Sequence, residues 1–351
     1  MDLNDCTSFK QLDTQNMLGE IDNLPRQLQS AWELGQQPPL PDADGINRIV
    51  ISGMGGSAIG ADLLSAYITP VCKLPVIVHR DYTLPAWAYG PATLVITSSH
   101  SGDTEETLAA FDAALKAGCH ILAVCTGGEL ERRAKSQKIP VWKFNHAGQP
   151  RAAVGFSFGL LLALFARLGL VADSEKDVLE AVADMRSQQE TLRAEVPLAE
   201  NPAKRMAGQL VGRWVNVYAS GMLSPVARRW KGQMNEIAKA GAGFELLPEA
   251  DHNALAGLEN PEVLMQTMTI FLHAPSDHPR NLFRTNLTRQ GFVEQGLNTD
   301  SYAANGKTPL AHIWTALHFG DYLAYYLAMQ YGMDPTPVNA LQNLKSALKN
   351  M

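Results

Sequence analysis

Between Arg48 and Phe144, short apolar runs alternate with longer stretches whose apolar positions recur every three or four residues. The runs are RIVISG, PVIVH, TLVITSS, HILAVCT and IPVWKF. Runs this rich in β-branched residues, apolar on both faces, suit strands of a parallel sheet buried on both sides. The stretches between them suit its crossover helices. The alternation predicts an α/β fold with a doubly wound parallel sheet in a three-layer α/β/α sandwich. A second alternation begins at WVNVYASG, continues through FELLPEADHN and EVLMQTMTIFL, and leads into a long helical pattern from Thr308 to Tyr331. Two such α/β halves are expected, without a visible sequence repeat.

The flanks read as helices. Met17, Ile21, Leu24 and Leu28 have helical spacing and predict one amphipathic helix over about Asp13–Leu34, ended by the linker GQQPPLPDADG. A helical stretch from Arg151 to about Arg193 follows the first half, and a Gly/Pro break precedes a last amphipathic helix that carries Lys345 and Lys349. The expected organisation is an N-terminal helix and linker over 1–43, a first α/β domain over 44–150 and connecting helices over 151–204. A second α/β domain over 205–332 and a C-terminal helix over 333–351 complete it.

Length and composition agree with this picture. A chain of 351 residues, 46% hydrophobic and 18% charged, can bury two cores of ordinary size. A net charge of -6 leaves no basic surplus for a nucleic-acid backbone, and the densest basic stretch, VARRWKG, reads as serving a pocket. Cys6, Cys72, Cys119 and Cys125 have no paired spacing. The N-terminal FKQLDTQNML is too polar for a signal peptide, and the apolar run FGLLLALFARLGLV is interrupted by Arg167 and too short to span a bilayer. A soluble cytoplasmic protein without a membrane partner is expected.

Chemistry concentrates at two strand-to-helix turns. In VISGMGGSAIGADLL, Gly53, Gly55 and Ala58 fit the dinucleotide fingerprint, and Asp81 after the next strand could serve a ribose. The same glycines also suit a plain tight turn. Ser57 adds a hydroxyl at a helix entrance whose backbone N–H groups already favour an anion. The second turn, in VITSSHSGDTEETL, carries Ser98, Ser99, Ser101 and Thr104 around Gly102. Several hydroxyls before a helix suit a terminal phosphate monoester, whereas a pyrophosphate would need open glycine backbone. Asp103 or Thr104 also reads as an N-cap, with Glu105 and Glu106 in the first turn for the dipole.

GMGGSAIG followed by S-x-S-G-x-T-E-E-T resembles the sugar isomerase (SIS) domain. From the glycine turn to the last helix, the chain resembles the bifunctional phosphoglucose/phosphomannose isomerase family. That resemblance implies two SIS-type subdomains and a cofactor-free, metal-independent isomerisation of glucose 6-phosphate and fructose 6-phosphate, with mannose 6-phosphate as a further substrate. It implies a phosphate site of Gly55, Gly56, Ser57, Ser99, Ser101 and Thr104, and a homodimer whose active site is shared between subunits.

The resemblance also assigns roles to four further residues. It makes Glu236, in the N-E position of RRWKGQMNEIAKA, the base for the C1/C2 proton; on a half-apolar helix face such a carboxylate suits a raised pKa. Pairing of Glu236 with Lys239 or Arg229 is the alternative. His252 in LPEADHNALAG would open the sugar ring in the partner's site, with Asp251 standing where the family has Asn. Asp251 would either raise the basicity of His252 or cap the helix. Arg151 would steady the enediolate, with an inter-domain salt bridge as the alternative, and Lys345 would assist ring opening. Thr336 is the nearest candidate for the threonine that admits mannose 6-phosphate.

His100, His146, His312 and His318 lack metal-ligand spacing. Two other functions compete with the isomerase: a non-catalytic phosphosugar sensor, which would need no base, and an NAD-dependent oxidoreductase, which would leave the second turn unexplained.

Overall fold

The computed structural model describes residues 2–348, so Lys349 at the end of the expected last helix lies outside the described residues. The chain forms α1 (Cys6–Leu12), α2 (Met17–Asp22), α3 (Leu24–Gly35), β1 (Arg48–Ser52), α4 (Gly55–Ile68), β2 (Val76–His79), β3 (Thr93–Ser99), α5 (Glu105–Lys116), β4 (His120–Cys125), α6 (Gly128–Ser136) and β5 (Val141–Lys143). After a 3-10 turn at Pro150–Ala153 come α7 (Val154–Arg167), α8 (Glu175–Leu192), α9 (Pro202–Leu210), β6 (Trp214–Ser220), α10 (Ser224–Glu236) and β7 (Ala242–Leu247). Then β8 (Thr267–His273), α11 (Pro279–Glu294), β9 (Asn298–Ala303), α12 (Pro309–Tyr331) and α13 (Asn339–Leu348) complete it.

These elements divide into two compact units. One comprises Asn23–Arg186 and Asn305–Thr315; the other comprises the described residues up to Asp22, Ser187–Ala304 and those from Ala316 onward. The first unit holds a five-stranded sheet of order β2-β1-β3-β4-β5 and the second a four-stranded sheet of order β7-β6-β8-β9. Every pairing in both is parallel, as the apolar runs predict.

Burial follows position in the sheet. Central β3 is buried along its whole length, whereas the edge strand β9, sequence NTDSYA, has one buried residue. An edge strand with so few apolar positions leaves little trace in the hydrophobic pattern, and neither β9 nor α11 is anticipated there.

The expected single helix over Asp13–Leu34 is two helices. The Asp13 carboxylate accepts from the amides of Met17 and Leu18 and starts α2. Pro25, in the first turn of α3, cannot donate a backbone hydrogen bond to a continuous helix.

The apolar α7 is a core helix of the first unit. Its Gly155 lies against Gln27 and Leu28, and its Gly159 against Ala31, so closely that a methyl group on either would collide with α3. Fourteen residues long and almost wholly buried, it owes its apolar sequence to this packing.

Candidate active site

In a parallel sheet of this order, the crevice outside the carboxyl ends of the strands opens where the connections reverse direction, between β1 and β3. Both turns singled out in the sequence lie there. Gly53 follows β1, and a Cβ on it would sit 2.8 Å from the Ser98 carbonyl oxygen, so only glycine lets the two turns approach. Gly55 takes a left-handed φ of 52° and opens α4. The amides of Gly55 and Gly56 are in the first turn of that helix, where backbone N–H groups lack an intrahelical acceptor. Ser57 is buried one residue further on.

The second turn is internally cross-linked. Ser99 Oγ donates to Thr104 Oγ1 at 2.9 Å and accepts from the Gly102 amide at 3.1 Å. The Asp103 amide donates to Ser101 Oγ at 3.2 Å. Thr104 stands at the N-cap of α5, but its hydroxyl makes no cap hydrogen bond. Asp103 does not cap α5 either: its carboxylate accepts from the Glu129 amide at 2.9 Å. The capping expectation is therefore corrected; this hydroxyl faces its neighbours in the turn, and Glu105 and Glu106 occupy the first turn of α5. Ser98 and Ser99 both end β3 and are buried, but only Ser99, Ser101 and Thr104 have hydroxyls hydrogen-bonded within the turn, three of the four expected.

Arg151 joins this cluster. It lies in the 3-10 turn before α7, is 5% exposed, and donates from Nη1 to Gln149 Oε1 at 3.5 Å. A Cβ on Gly56 would sit 2.4 Å from the Pro150 carbonyl oxygen and 3.3 Å from Arg151 Cα. Thus one unit brings together Gly55, Gly56, Ser57, Ser99, Ser101, Thr104 and Arg151. No local pattern foretells that His100, inside the second turn, meets His146: Nε2 and Nδ1 are 2.9 Å apart. A histidine within a hydroxyl-rich turn was the available signal.

The other unit carries Glu236, His252 and Lys345. Glu236 is the half-buried last residue of α10. One turn earlier, Gln233 Nε2 donates to Asp321 Oδ1 at 2.9 Å. Arg229 donates to the same carboxylate from Nη2 at 2.8 Å and from Nε at 3.2 Å. Both members of this ion pair are 4% exposed, and breaking such a pair from one side leaves a buried charge uncompensated. Arg229 is thus committed to Asp321 on α12 rather than to Glu236. Lys239 Nζ donates to the backbone carbonyls of Glu236 and Pro335.

His252 is exposed at the end of a 3-10 turn, Glu249–His252, whose Ala250 is buried. Asp251 neither caps nor serves His252. Its carboxylate accepts from Arg284 Nη1 at 3.0 Å and from the Thr288 hydroxyl at 2.7 Å, tying the turn to α11. Lys345 is exposed on α13. Thr336 is buried, with its amide donating to Asp334 Oδ1 at 2.9 Å.

A parallel sheet with hydroxyl-lined turns at its reversal point, paired in one chain with a second parallel sheet, defines a double SIS-type protein. Solved structures share this fold: the C-terminal domain of glucosamine-fructose-6-phosphate aminotransferase from Francisella tularensis aligns with a TM-score of 0.73 over 92% of this chain and 98% of that one, at 14% identity. Residues 199–348 match the family described as bacterial phospho-glucose isomerase C-terminal SIS domain. A bifunctional phosphoglucose/phosphomannose isomerase from Caldicellulosiruptor bescii is 40% identical over 95% of this chain and 98% of its own length. One of the same name from Aquifex aeolicus is 32% identical over 86% and 90% respectively. The chain belongs to the bifunctional phosphoglucose/phosphomannose isomerase family.

Proposed function

We propose that this protein interconverts glucose 6-phosphate and fructose 6-phosphate, and also uses mannose 6-phosphate, through a cis-enediolate. The observation that carries the reading is the convergence of Ser57, Ser99, Ser101 and Thr104 with Arg151 at the reversal point of the first sheet. Hydroxyls and helix-start amides suit the substrate's phosphate dianion. With the phosphate anchored, His252 and Lys345 open the ring, leaving the free aldehyde or ketone. Glu236 removes the proton from C2 of the aldose and returns it to C1, while the hydroxyl proton moves between the two oxygens. Arg151 stabilises the negative charge that develops on the enediolate oxygen.

No cofactor or metal is required by this scheme, because the proton shuttle and the guanidinium supply what a Lewis acid would. Family membership disfavours the oxidoreductase and sensor alternatives. A cytoplasmic homodimer, with His252 serving the partner's site, belongs to the same proposal.

A coupled assay with all three sugar phosphates tests the function. Turnover of glucose 6-phosphate and of mannose 6-phosphate to fructose 6-phosphate is expected. Binding of the sugars without turnover by well-folded protein would favour the sensor.

A further inference from the structure

Two imidazoles that this scheme does not use meet beside the phosphate turns. The rings of His100 and His146 are nearly perpendicular, at 84°, with centroids 5.2 Å apart. At an Nε2···Nδ1 separation of 2.9 Å, a hydrogen bond requires one nitrogen to carry hydrogen and the other to accept it. Both side chains are half-buried against a stacked pair, Phe144 and Phe156, whose centroids are 4.9 Å apart. His100 meets Phe144 at 5.8 Å and His146 meets Phe156 at 6.1 Å, both edge to face. This aromatic wall restricts the ring planes and holds the two nitrogens in line. Among the described residues, no three His, Cys, Asp or Glu side chains gather as a metal ligand set.

What matters is what the bond joins. His100 lies between Ser99 and Ser101, and its carbonyl accepts from the Thr126 amide at 3.0 Å and the Thr126 hydroxyl at 2.7 Å. The phosphate turn is therefore already pinned to the end of β4 through its main chain. His146 stands on the stretch from β5 to the 3-10 turn that presents Arg151.

We propose that the His100–His146 bond is a positioning clasp that sets the phosphate turn and the Arg151 segment in register. The guanidinium then meets the enediolate of a substrate whose phosphate is seated on the turn. The proposal rests on the roles given above to Arg151 and the phosphate turns. In this proposal both histidines act through the segments they hold, so both are positioning residues.

The clasp predicts a split between kinetic parameters. His146→Leu keeps much of the bulk and removes both ring nitrogens. Its kcat should fall about tenfold, within the range expected for a slightly misplaced orienting group. Competitive inhibition by inorganic phosphate should stay nearly unchanged, because the turn keeps its Thr126 anchors. His100→Leu should behave alike, and the double Leu variant no worse than either single one, as for two halves of one interaction.

Because His100 acts through Nε2 and His146 through Nδ1, glutamine and asparagine reproduce their respective reaches. The His100→Gln/His146→Asn protein should regain most of the lost kcat. Wild-type kcat in the Leu variants would overturn the clasp. So would parallel loss of kcat, phosphate inhibition and thermal stability, or failure of the amide pair to restore turnover. If the Leu variants do not fold, the amide pair alone decides, by its kcat relative to wild type. A wild-type protein inactive on all three sugar phosphates would instead defeat the underlying functional reading.

Discussion

Gly56 lies against the carbonyl of Pro150, where a Cβ would come within 2.4 Å of the oxygen and 3.3 Å of Arg151 Cα. The first glycine turn and the arginine segment are therefore in backbone contact, with no side chain between them. Gly56→Ala must push the two apart or strain α4, an overpacking that costs about 1–3 kcal/mol. Its kcat/KM should drop at least about tenfold, from misplacement of Arg151, with a modest loss in Tm. Full activity in this variant would show that the contact does not position Arg151.

The cross-linked second turn predicts a binding defect with little structural cost. Because the Thr104 hydroxyl bonds Ser99 rather than an α5 amide, removing it does not uncap the helix. In the Ser101→Ala/Thr104→Ala protein, KM should rise at least about tenfold, since each lost charge-assisted bond is worth about 1.5–3 kcal/mol. Circular dichroism and Tm should stay close to wild type. An unchanged KM would remove these hydroxyls from the phosphate site.

Glu236 ends a helix turn that the buried Arg229–Asp321–Gln233 network holds in place. Glu236→Gln preserves shape but cannot take a proton. It should lower kcat by roughly 10²–10⁴-fold, the usual worth of a general base, with KM near wild type. Wild-type turnover in deuterated water should place label partly at C2 of the aldose, from exchange on the carboxyl group. In the dimer proposed above, mixing inactive Glu236→Gln and His252→Ala proteins should restore some activity through sites that combine intact residues from both. Near wild-type turnover by Glu236→Gln would place the base elsewhere.

Acid should destabilise the fold before the carboxylates titrate. Burial lowers the pKa of His318, and to a lesser degree of burial those of His312 and His273, below the ordinary value of 6.5. His318 Nε2 is 2.9 Å from the Ile21 carbonyl, which can only accept, so that nitrogen carries a hydrogen. As pH falls below about 6.5, the unfolded chain binds protons that the folded one refuses, so stability is fully present above that pH and declines beneath it. Urea midpoints should therefore decrease between about pH 7 and pH 5. His318→Gln, which can still donate to Ile21 but does not titrate, should flatten that slope; an identical slope would assign the loss to other groups.

Local patterns alone specify the parallel strands of the first sheet and the two turns rich in glycine and hydroxyl residues. Each of these is a local pattern: an apolar run long enough to be buried on both faces, then glycine or hydroxyl residues at a helix entrance. Pro25 carried the break between α2 and α3 just as locally, but apolar spacing read across it.

Tertiary structure decided the rest. Edge strand β9 is sparsely apolar because a sheet edge does not demand burial. Thr104 turned from cap to turn partner, Asp251 went to Arg284 and Thr288, Arg229 went to Asp321, and His100 met His146. Except for Thr104, these partners lie tens of residues away in the chain, and which donor reaches which acceptor depends on how the elements pack. Residue type and spacing name the groups available for hydrogen bonding; only the folded geometry, through the cost of leaving a buried polar group unpaired, selects their partners.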